Sequence, residues 1–205
     1  MLSIMKWTLW SVFWIVLAGF LYYTLPQRDI VQVNGTEIIR QDFSGWNRIF
    51  YAQADAGNTE TINRDLRLIN TVRTNGRVMV YRNEDTGFGW PPYFKFDSSN
   101  LQAQAQQAER GSQEQWYAIT HYGIRSEFLT IFPNATNLRP VEEPDVRLIP
   151  WFNIIFLTVF FAFVWGTTVR IRRFRERAID PIFDDLEEGY DSAKDTARGW
   201  FGRSR

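Results

Sequence analysis

Two long apolar stretches, one near each end of the chain, constrain the fold more than any other feature. Residues 7–25 and residues 148–169 contain no Asp, Glu, Lys, Arg or His. A transmembrane helix needs roughly 17–25 such residues, because each residue rises about 1.5 Å and the hydrocarbon core is about 30 Å thick. Both stretches reach that length, so the sequence predicts two transmembrane helices that flank a soluble module.

The first stretch is interpreted as an uncleaved anchor, with a cleaved signal peptide as the alternative. Lys6 precedes the stretch, as in a signal peptide, but the apolar core is long and no small-x-small cleavage pattern follows it. Tyr22 and Tyr23 lie near one end and Trp7 near the other, where aromatic belts mark the membrane interfaces.

The arginines after the second stretch set the predicted orientation. Five of them lie within eight residues: Arg170, Arg172, Arg173, Arg175 and Arg177. Because basic loops stay in the cytoplasm, residues 170–205 are predicted to be a cytoplasmic tail and residues 1–6 a cytoplasmic N-terminus. The expected localisation is a bacterial inner membrane, with residues 26–147 in the periplasm. Membrane lipid is the expected partner of the arginines, and nucleic acid is not, since the juxtamembrane position already accounts for their charge.

The absence of cysteine limits the chemistry of the chain. It excludes disulfides, thiolate nucleophiles and Cys-ligated zinc or iron–sulfur sites. The middle module must therefore be stabilised by burial alone, and a length of about 120 residues is sufficient for that.

Local signals predict a β-rich module. Asn34-Gly35 and Asn75-Gly76 each lie between alternating apolar residues, which is the strongest short signal for a β-hairpin. Three further strands are expected at residues 93–96, 116–123 and 128–133. Loops are expected at residues 53–63 and 83–92.

A helix is predicted over residues 101–110, after several of the strands. Residues 97–100 offer an N-cap, and Gly111 is a helix stop. An OB-like barrel has this order, with its helix between the third and fourth strands; a general α+β meander is the alternative. The expected fold class is a membrane protein in which two transmembrane helices flank a small extracytoplasmic α+β module.

The cytoplasmic tail is predicted to contain an amphipathic helix. Asp180-Pro181 pairs an N-cap residue with proline at the first helical position, and apolar residues then recur every three or four positions up to Ala197. Attachment of its end to the membrane surface and a solvated, frayed helix are the two alternatives.

The sequence offers no set of catalytic residues. His121 is the only histidine; imidazole can carry protons or bind metals, but Tyr117 and Tyr122 beside it indicate a place in a barrel wall. Neither a Gly-x-Ser-x-Gly elbow nor a Gly-x-Gly-x-x-Gly loop occurs. No catalytic residue, metal site or cofactor is therefore predicted.

An aromatic cluster is the best candidate for a partner or ligand surface. Rigid aromatic side chains beside prolines provide contact area at little entropic cost, although the same residues can equally form the core of a small barrel. The candidate residues are Trp90, Pro91, Pro92, Tyr93, Phe94, His121, Tyr122 and Arg125.

Asn153 is the one strongly polar side chain in the second apolar stretch. In lipid such a group seeks a partner across a helix interface. The expected partner is the first apolar stretch, through Ser11 or Gly19, or another subunit.

Several short blocks of the chain resemble an uncharacterised family of bacterial inner-membrane proteins, of alphaproteobacterial type, that is described as a domain of unknown function. These blocks are Lys6-Trp7-Thr8-Leu9-Trp10, residues 22–30, residues 81–87, residues 91–97 and Thr120-His121-Tyr122-Gly123. The resemblance implies a bacterial inner membrane and carries no activity and no catalytic residues.

The leading hypothesis from the sequence is a non-catalytic accessory or scaffold protein, whose periplasmic module contacts another envelope or membrane protein. The alternative is a ligand sensor, in which the module binds a small molecule and the cytoplasmic helix responds. A membrane-anchored enzyme is the least favoured alternative.

Overall fold

The structure, a computed structural model, describes residues 2–42, 63–111, 114–179, 181 and 194. It divides into two compact units, Met1–Pro150 and Trp151–Arg205. The first unit contains helix α1 (Leu2–Thr24), strands β1 (Gln27–Asp42), β2 (Asn63–Arg73) and β3 (Val78–Arg82), helix α2 (Ser98–Arg110), and strands β4 (Trp116–Tyr122) and β5 (Asn134–Val141). The second unit contains helix α3 (Trp151–Phe174), which continues into a π-helical turn (Arg175–Ile179).

The five strands form a closed barrel in the order β1-β2-β3-β5-β4. It closes because β1 pairs with both β2 and β4, and because β3 meets β5 through one parallel pair, Arg82 with Asn134. Helix α2 lies between β3 and β4 in the chain, as expected for an OB-like barrel. The prediction of a small β-rich module with one helix is confirmed.

The barrel core is apolar and includes one face of α2. The α2 residues Leu101, Ala105 and Ala108 recur at helical spacing and are buried in the same cluster as Ile69 and Ile119 of the strands. The caps of α2 are those expected from the sequence. Asp97 accepts a hydrogen bond from the backbone N–H of Asn100, and Gly111 ends the helix.

Only one of the two predicted hairpins forms. Asn75-Gly76 joins β2 to β3, and Gly76 has a φ of +76°, which glycine adopts without strain. The hairpin predicted at Asn34-Gly35 is wrong, because β1 continues through these residues with a register shift between Val33 and Gly35. A bulge of this kind bends a strand, and the long β1 must bend to pair with β4 near its start and β2 further on.

Two other predicted strands are wrong. Residues 93–96 pair with no strand, and residues 128–133 form a turn with one isolated bridge between Ser126 and Ile131. The fifth strand lies just after this turn, at Asn134–Val141. The predicted loop at residues 53–63 lies outside the described residues except for Asn63, which begins β2. The predicted tail helix lies outside them except for residues 181 and 194.

Two helices within the described residues are long and apolar enough to cross a membrane, judged by length and composition alone. They cover Ser3–Thr24 and Trp151–Ile179, and the most apolar part of each helix has no buried residue. Both extend beyond the apolar stretches seen in the sequence. Helix α1 begins at Leu2, and α3 carries the helix through the first three arginines of the basic cluster.

Candidate functional site

The segment between β3 and α2 separates the candidate aromatic residues into buried and exposed sets. Burial alternates from residue 91 to residue 96. Pro91 and Lys95 are buried and Tyr93 is half-buried, whereas Pro92 and Phe94 are exposed. One side of the segment thus lies on the barrel and the other contacts the surroundings, although the backbone is not an extended strand. The N–H of Tyr93 donates to the carbonyl oxygen of Pro91 at 2.7 Å, and Phe94 has a φ of +49°.

Tyr93 connects this segment to both the barrel and α1. Its ring stacks on Tyr122 with the centroids 4.6 Å apart, and its hydroxyl donates a 2.6 Å hydrogen bond to the carbonyl oxygen of Thr24. Burial raises the pKa of Tyr93, so the hydroxyl stays protonated and able to donate. Tyr93 and Tyr122 thus close the end of the barrel that meets α1.

Several rings of this segment are exposed, and one of them, Trp90, contacts α1. Trp90 is 65 % exposed and stacks on Phe20 of α1, with the ring centroids 5.5 Å apart. Phe88, which is 86 % exposed, contacts the rings of Phe94 and Phe96 at 6.1 and 5.1 Å. An apolar patch of this kind commonly marks a contact with lipid or with another protein. Phe88 and Phe96 were not in the predicted set.

His121 belongs to a compact polar cluster centred on Asp29, in which His121 and Tyr81 are buried and Asp29 and Arg73 are partly exposed. One carboxylate oxygen, Asp29 Oδ2, lies 2.6 Å from Arg73 Nη2, 2.5 Å from the Tyr81 hydroxyl and 3.0 Å from His121 Nε2. The His121 ring also lies 5.0 Å from the ring of Tyr81. These contacts connect β1, β2, β3 and β4, so the cluster joins four strands of the barrel.

The electrostatics of this cluster keep the carboxylate of Asp29 ionised. Burial by itself would raise the pKa of Asp29, but hydrogen bonds from His121 and Tyr81 and the charges of His121 and Arg73 outweigh it and lower the pKa to about 2. Burial and the same carboxylate raise the pKa of Tyr81, so its hydroxyl remains a donor. The three donor side chains therefore converge on one oxygen atom, whereas Arg73 Nε and His121 Nδ1 are buried without a hydrogen-bond partner among the described residues.

Of this cluster, only His121 was predicted from the sequence. Asp29 and Arg73 share one signal, which is their position on the inward-facing side of a strand. Asp29 lies two residues before the buried Val31, and Arg73 lies two residues after the buried Thr71. A charged residue in phase with an inward-facing face of a small barrel must find a partner there, because unpaired charges are not stable in its interior.

A second buried polar network surrounds Lys95. Its Nζ donates to Asn83 Oδ1 at 2.5 Å and to the carbonyl oxygen of Ala135 at 2.7 Å, while Asn134 hydrogen-bonds to the backbone of Glu84 in both directions. Burial lowers the pKa of Lys95 to about 8, although nearby carboxylates partly oppose this shift. The network connects the segment after β3 to β5. It was not predicted from the sequence.

Arg125 braces the turn after β4. Its guanidinium donates to the carbonyl oxygens of Ser126 and Ile131 and lies 4.4 Å from the centre of the Phe132 ring. The residue as a whole is exposed. The structure thus leaves Trp90, Pro92, Phe94 and Arg125 accessible.

The basic cluster of the second unit presents several arginines on one surface. Arg170, Arg173 and Arg177 line a concave surface together with Gly166 and Phe174. Arg172 and Arg175 are also exposed, and Asn153 lies in the first turn of α3. Spacings of three and four residues place Arg170, Arg173 and Arg177 on one helical face. Contact of the five arginines with lipid and of Asn153 with another helix stay predictions.

No group of three or more His, Cys, Asp or Glu residues within the described part of the chain is arranged to hold a metal ion.

The chain matches a family profile over most of its length. The profile of a family described as "Protein of unknown function (DUF1523)" matches residues 2–175. The chain belongs to this family.

A relative from Haemophilus influenzae supports the same assignment. It is described as an uncharacterized protein and is 36 % identical over 146 residues, which cover 68 % of this chain and 79 % of the relative. No solved structure matches the chain significantly. The prediction of an uncharacterised bacterial family is confirmed, and the match spans α1, the barrel and α3.

Proposed function

We propose that this protein is a non-catalytic accessory or scaffold component of the bacterial inner membrane, whose periplasmic barrel contacts another envelope or membrane protein. The observation that carries the proposal is the direct connection between α1 and the barrel. Only Leu25 and Pro26 separate α1 from β1, and the backbone N–H of Gly123 donates a 2.9 Å hydrogen bond to the carbonyl oxygen of Tyr23. A barrel joined in this way is presented at a fixed height and orientation next to the membrane.

The length and composition of α1 and α3 support the membrane anchoring. The five arginines after the second apolar stretch support an orientation with both termini in the cytoplasm. A reporter enzyme fused after Arg177 should therefore be active only in its cytoplasmic form. Activity of a periplasmic reporter at that position would refute the proposed orientation, and release of the protein from membranes by alkaline carbonate would refute the anchoring.

The use of polar groups within the barrel supports a non-catalytic role. Asp29, Arg73, Tyr81 and His121 are hydrogen-bonded to one another across four strands, and Lys95 is held by two acceptors. The sensor alternative is less favoured, because a ligand surface formed by His121 and Arg125 requires both side chains to be accessible. His121 is 3 % exposed and packs on Tyr81, as a core residue does.

The outer part of the β1–β2 pair is one surface available to a protein partner. Ile38 is 63 % exposed there and lies opposite Arg67. Cells that carry a photo-crosslinking residue in place of Ile38 should yield a reproducible adduct with a second protein after purification in mild detergent. The same residue in place of the exposed Gln104 on α2 is the control. Recovery of this chain alone from both variants and from the wild type, at every detergent strength, would argue against an accessory role.

A further inference from the structure

The segment from Thr86 to Phe94, here called the aromatic loop, presents an uncharged surface. No Asp, Glu, Lys, Arg or His lies between Asp85 and Lys95. Lys95 is itself buried, with its ammonium group bonded to Asn83 and Ala135. The exposed area of the loop therefore comes mainly from aromatic rings, which is an unusual surface for a loop in water.

The position of the aromatic loop along α1 can be estimated from one ring contact. Trp90 stacks on Phe20 with an angle of 14° between the ring planes. Phe20 lies four residues before the end of α1, which is about 6 Å along the helix axis. The apolar stretch of residues 7–25 spans about 28 Å, close to the hydrocarbon thickness of about 30 Å, so Phe20, five residues before its end, lies about 7 Å inside the boundary. Trp90 reaches the same depth.

The loop is held in this position by hydrogen bonds and ring contacts. Tyr93 donates to the carbonyl oxygen of Thr24, and its ring stacks on Tyr122. The backbone N–H groups of Thr86 and Gly87 both donate to the carbonyl oxygen of Lys95, which closes the base of the loop. The loop therefore cannot leave the end of α1 without breaking contacts that also close the barrel.

We propose that the aromatic loop inserts Phe88, Trp90 and Phe94 into the periplasmic leaflet of the membrane that α1 spans. The inference rests on the membrane anchoring in the proposed function and assigns this surface to lipid. Trp and Phe are favoured at the boundary between headgroups and hydrocarbon. Trp90 continues the apolar exterior of α1 through its stack on Phe20, and no residue from Thr86 to Phe94 is charged. The loop thus acts as a second membrane contact that stops the barrel from tilting on α1, and it leaves surfaces such as that around Ile38 for a protein partner.

The absence of cysteine in the chain allows a direct test on the full-length protein. Single-cysteine variants carrying a nitroxide label would be reconstituted into phosphatidylethanolamine–phosphatidylglycerol vesicles. Phe88→Cys reports on the loop, and Val12→Cys, in the middle of α1, is the lipid reference. Ile38→Cys is the matched control, because Ile38 is also an exposed apolar residue but lies eleven residues along β1 from Gln27, a path of about 36 Å.

The measured quantity is the accessibility of each label to dissolved oxygen relative to a water-soluble nickel chelate. The ratio of the Phe88→Cys label is expected to be several-fold above that of Ile38→Cys and below that of Val12→Cys, because the loop lies nearer the interface than Val12. A water-exposed Phe88→Cys label combined with a lipid-exposed Val12→Cys label would overturn the insertion and leave the anchoring intact. Water exposure of the Val12→Cys label would overturn the anchoring and the insertion together. Phe88 packs on exposed rings only, so its replacement should leave the barrel folded, which circular dichroism of each variant would check.

Discussion

Replacement of Asp29 by asparagine should destabilise the barrel by about 2 kcal/mol at pH 7. All three donors of the cluster, Arg73, Tyr81 and His121, converge on one oxygen of Asp29. An asparagine oxygen can take the same position, so the substitution removes the charge and preserves most of the geometry. The pKa falls from an ordinary 3.8 to about 2, which corresponds to about 2.5 kcal/mol at about 1.4 kcal/mol per unit. Solvent screening of the partly exposed Asp29 side chain reduces this to about 2 kcal/mol.

The same shift predicts how the difference between wild type and variant depends on pH. The pKa of Asp29 is lower in the folded than in the unfolded chain, so the unfolded chain binds more protons as the pH falls. The stabilising contribution of Asp29 is therefore complete above about pH 4 and is lost between about pH 4 and pH 2. The free energies of unfolding of wild type and Asp29→Asn should converge over this interval.

Thermal unfolding of the full chain in mild detergent, followed by near-ultraviolet circular dichroism, would measure both effects. Asp145→Asn is the matched control, because Asp145 is exposed and has no hydrogen bond or ion pair among the described contacts. A loss of stability in Asp29→Asn no greater than in Asp145→Asn would refute the reasoning. A difference between wild type and Asp29→Asn that persists unchanged below pH 2 would refute it as well.

Three further predictions concern single side chains of the barrel. Lys95 should titrate near pH 8 in ¹³C-lysine NMR of the full chain, and a titration near 10.5 would contradict its burial. Its contribution to stability should rise with pH between about 8 and 10.5, because in this interval the lysine is protonated in the unfolded chain and neutral in the folded chain. Tyr93→Phe should lower the free energy of unfolding by about 1 kcal/mol through loss of its bond to α1, whereas Tyr22→Phe, at an exposed position, should not; equal effects would count against this contact. Gly123→Ala should cost about 1–2 kcal/mol, since Gly123 has a φ of +94°, and Gly19→Ala in α1, where nothing lies within 4 Å of an added Cβ, should not; an unchanged melting temperature of Gly123→Ala would contradict the strain.

The sequence predicted those parts of the barrel that depend on local signals. The hairpin at Asn75-Gly76 and the caps of α2 need only a few neighbouring residues, and both are found. The failure at Asn34-Gly35 has a tertiary cause, because β1 must continue past this point to pair with most of β2. The demand for pairing along a long strand there outweighs the preference of two residues for a turn.

Strand β5 shows the complementary failure, in which a strand forms without a local signal. Its residues include Asn134, Asn137 and Pro140, which do not favour a strand. The largely apolar residues 128–132 just before it do favour one, but they form no strand. Nevertheless β5 pairs with β4 over its whole length and places Pro140 opposite Tyr117. Its strand conformation therefore depends on β4, on the contact with β3 and on the network around Asn134, none of which is visible in the eight residues themselves.

The division of the aromatic cluster follows from the way the segment after β3 crosses the end of the barrel. Tyr93 must face inward to reach Thr24 and Tyr122, and Lys95 must face inward to reach Asn83. Phe94, between these two positions, has a φ of +49°, and its side chain is 57 % exposed. A composition rich in aromatic residues could not reveal which ring faces the barrel, because Tyr93 and Phe94 suit either side. Two inward hydrogen-bonding positions, spaced two residues apart, decide which ring is left for the membrane or a partner.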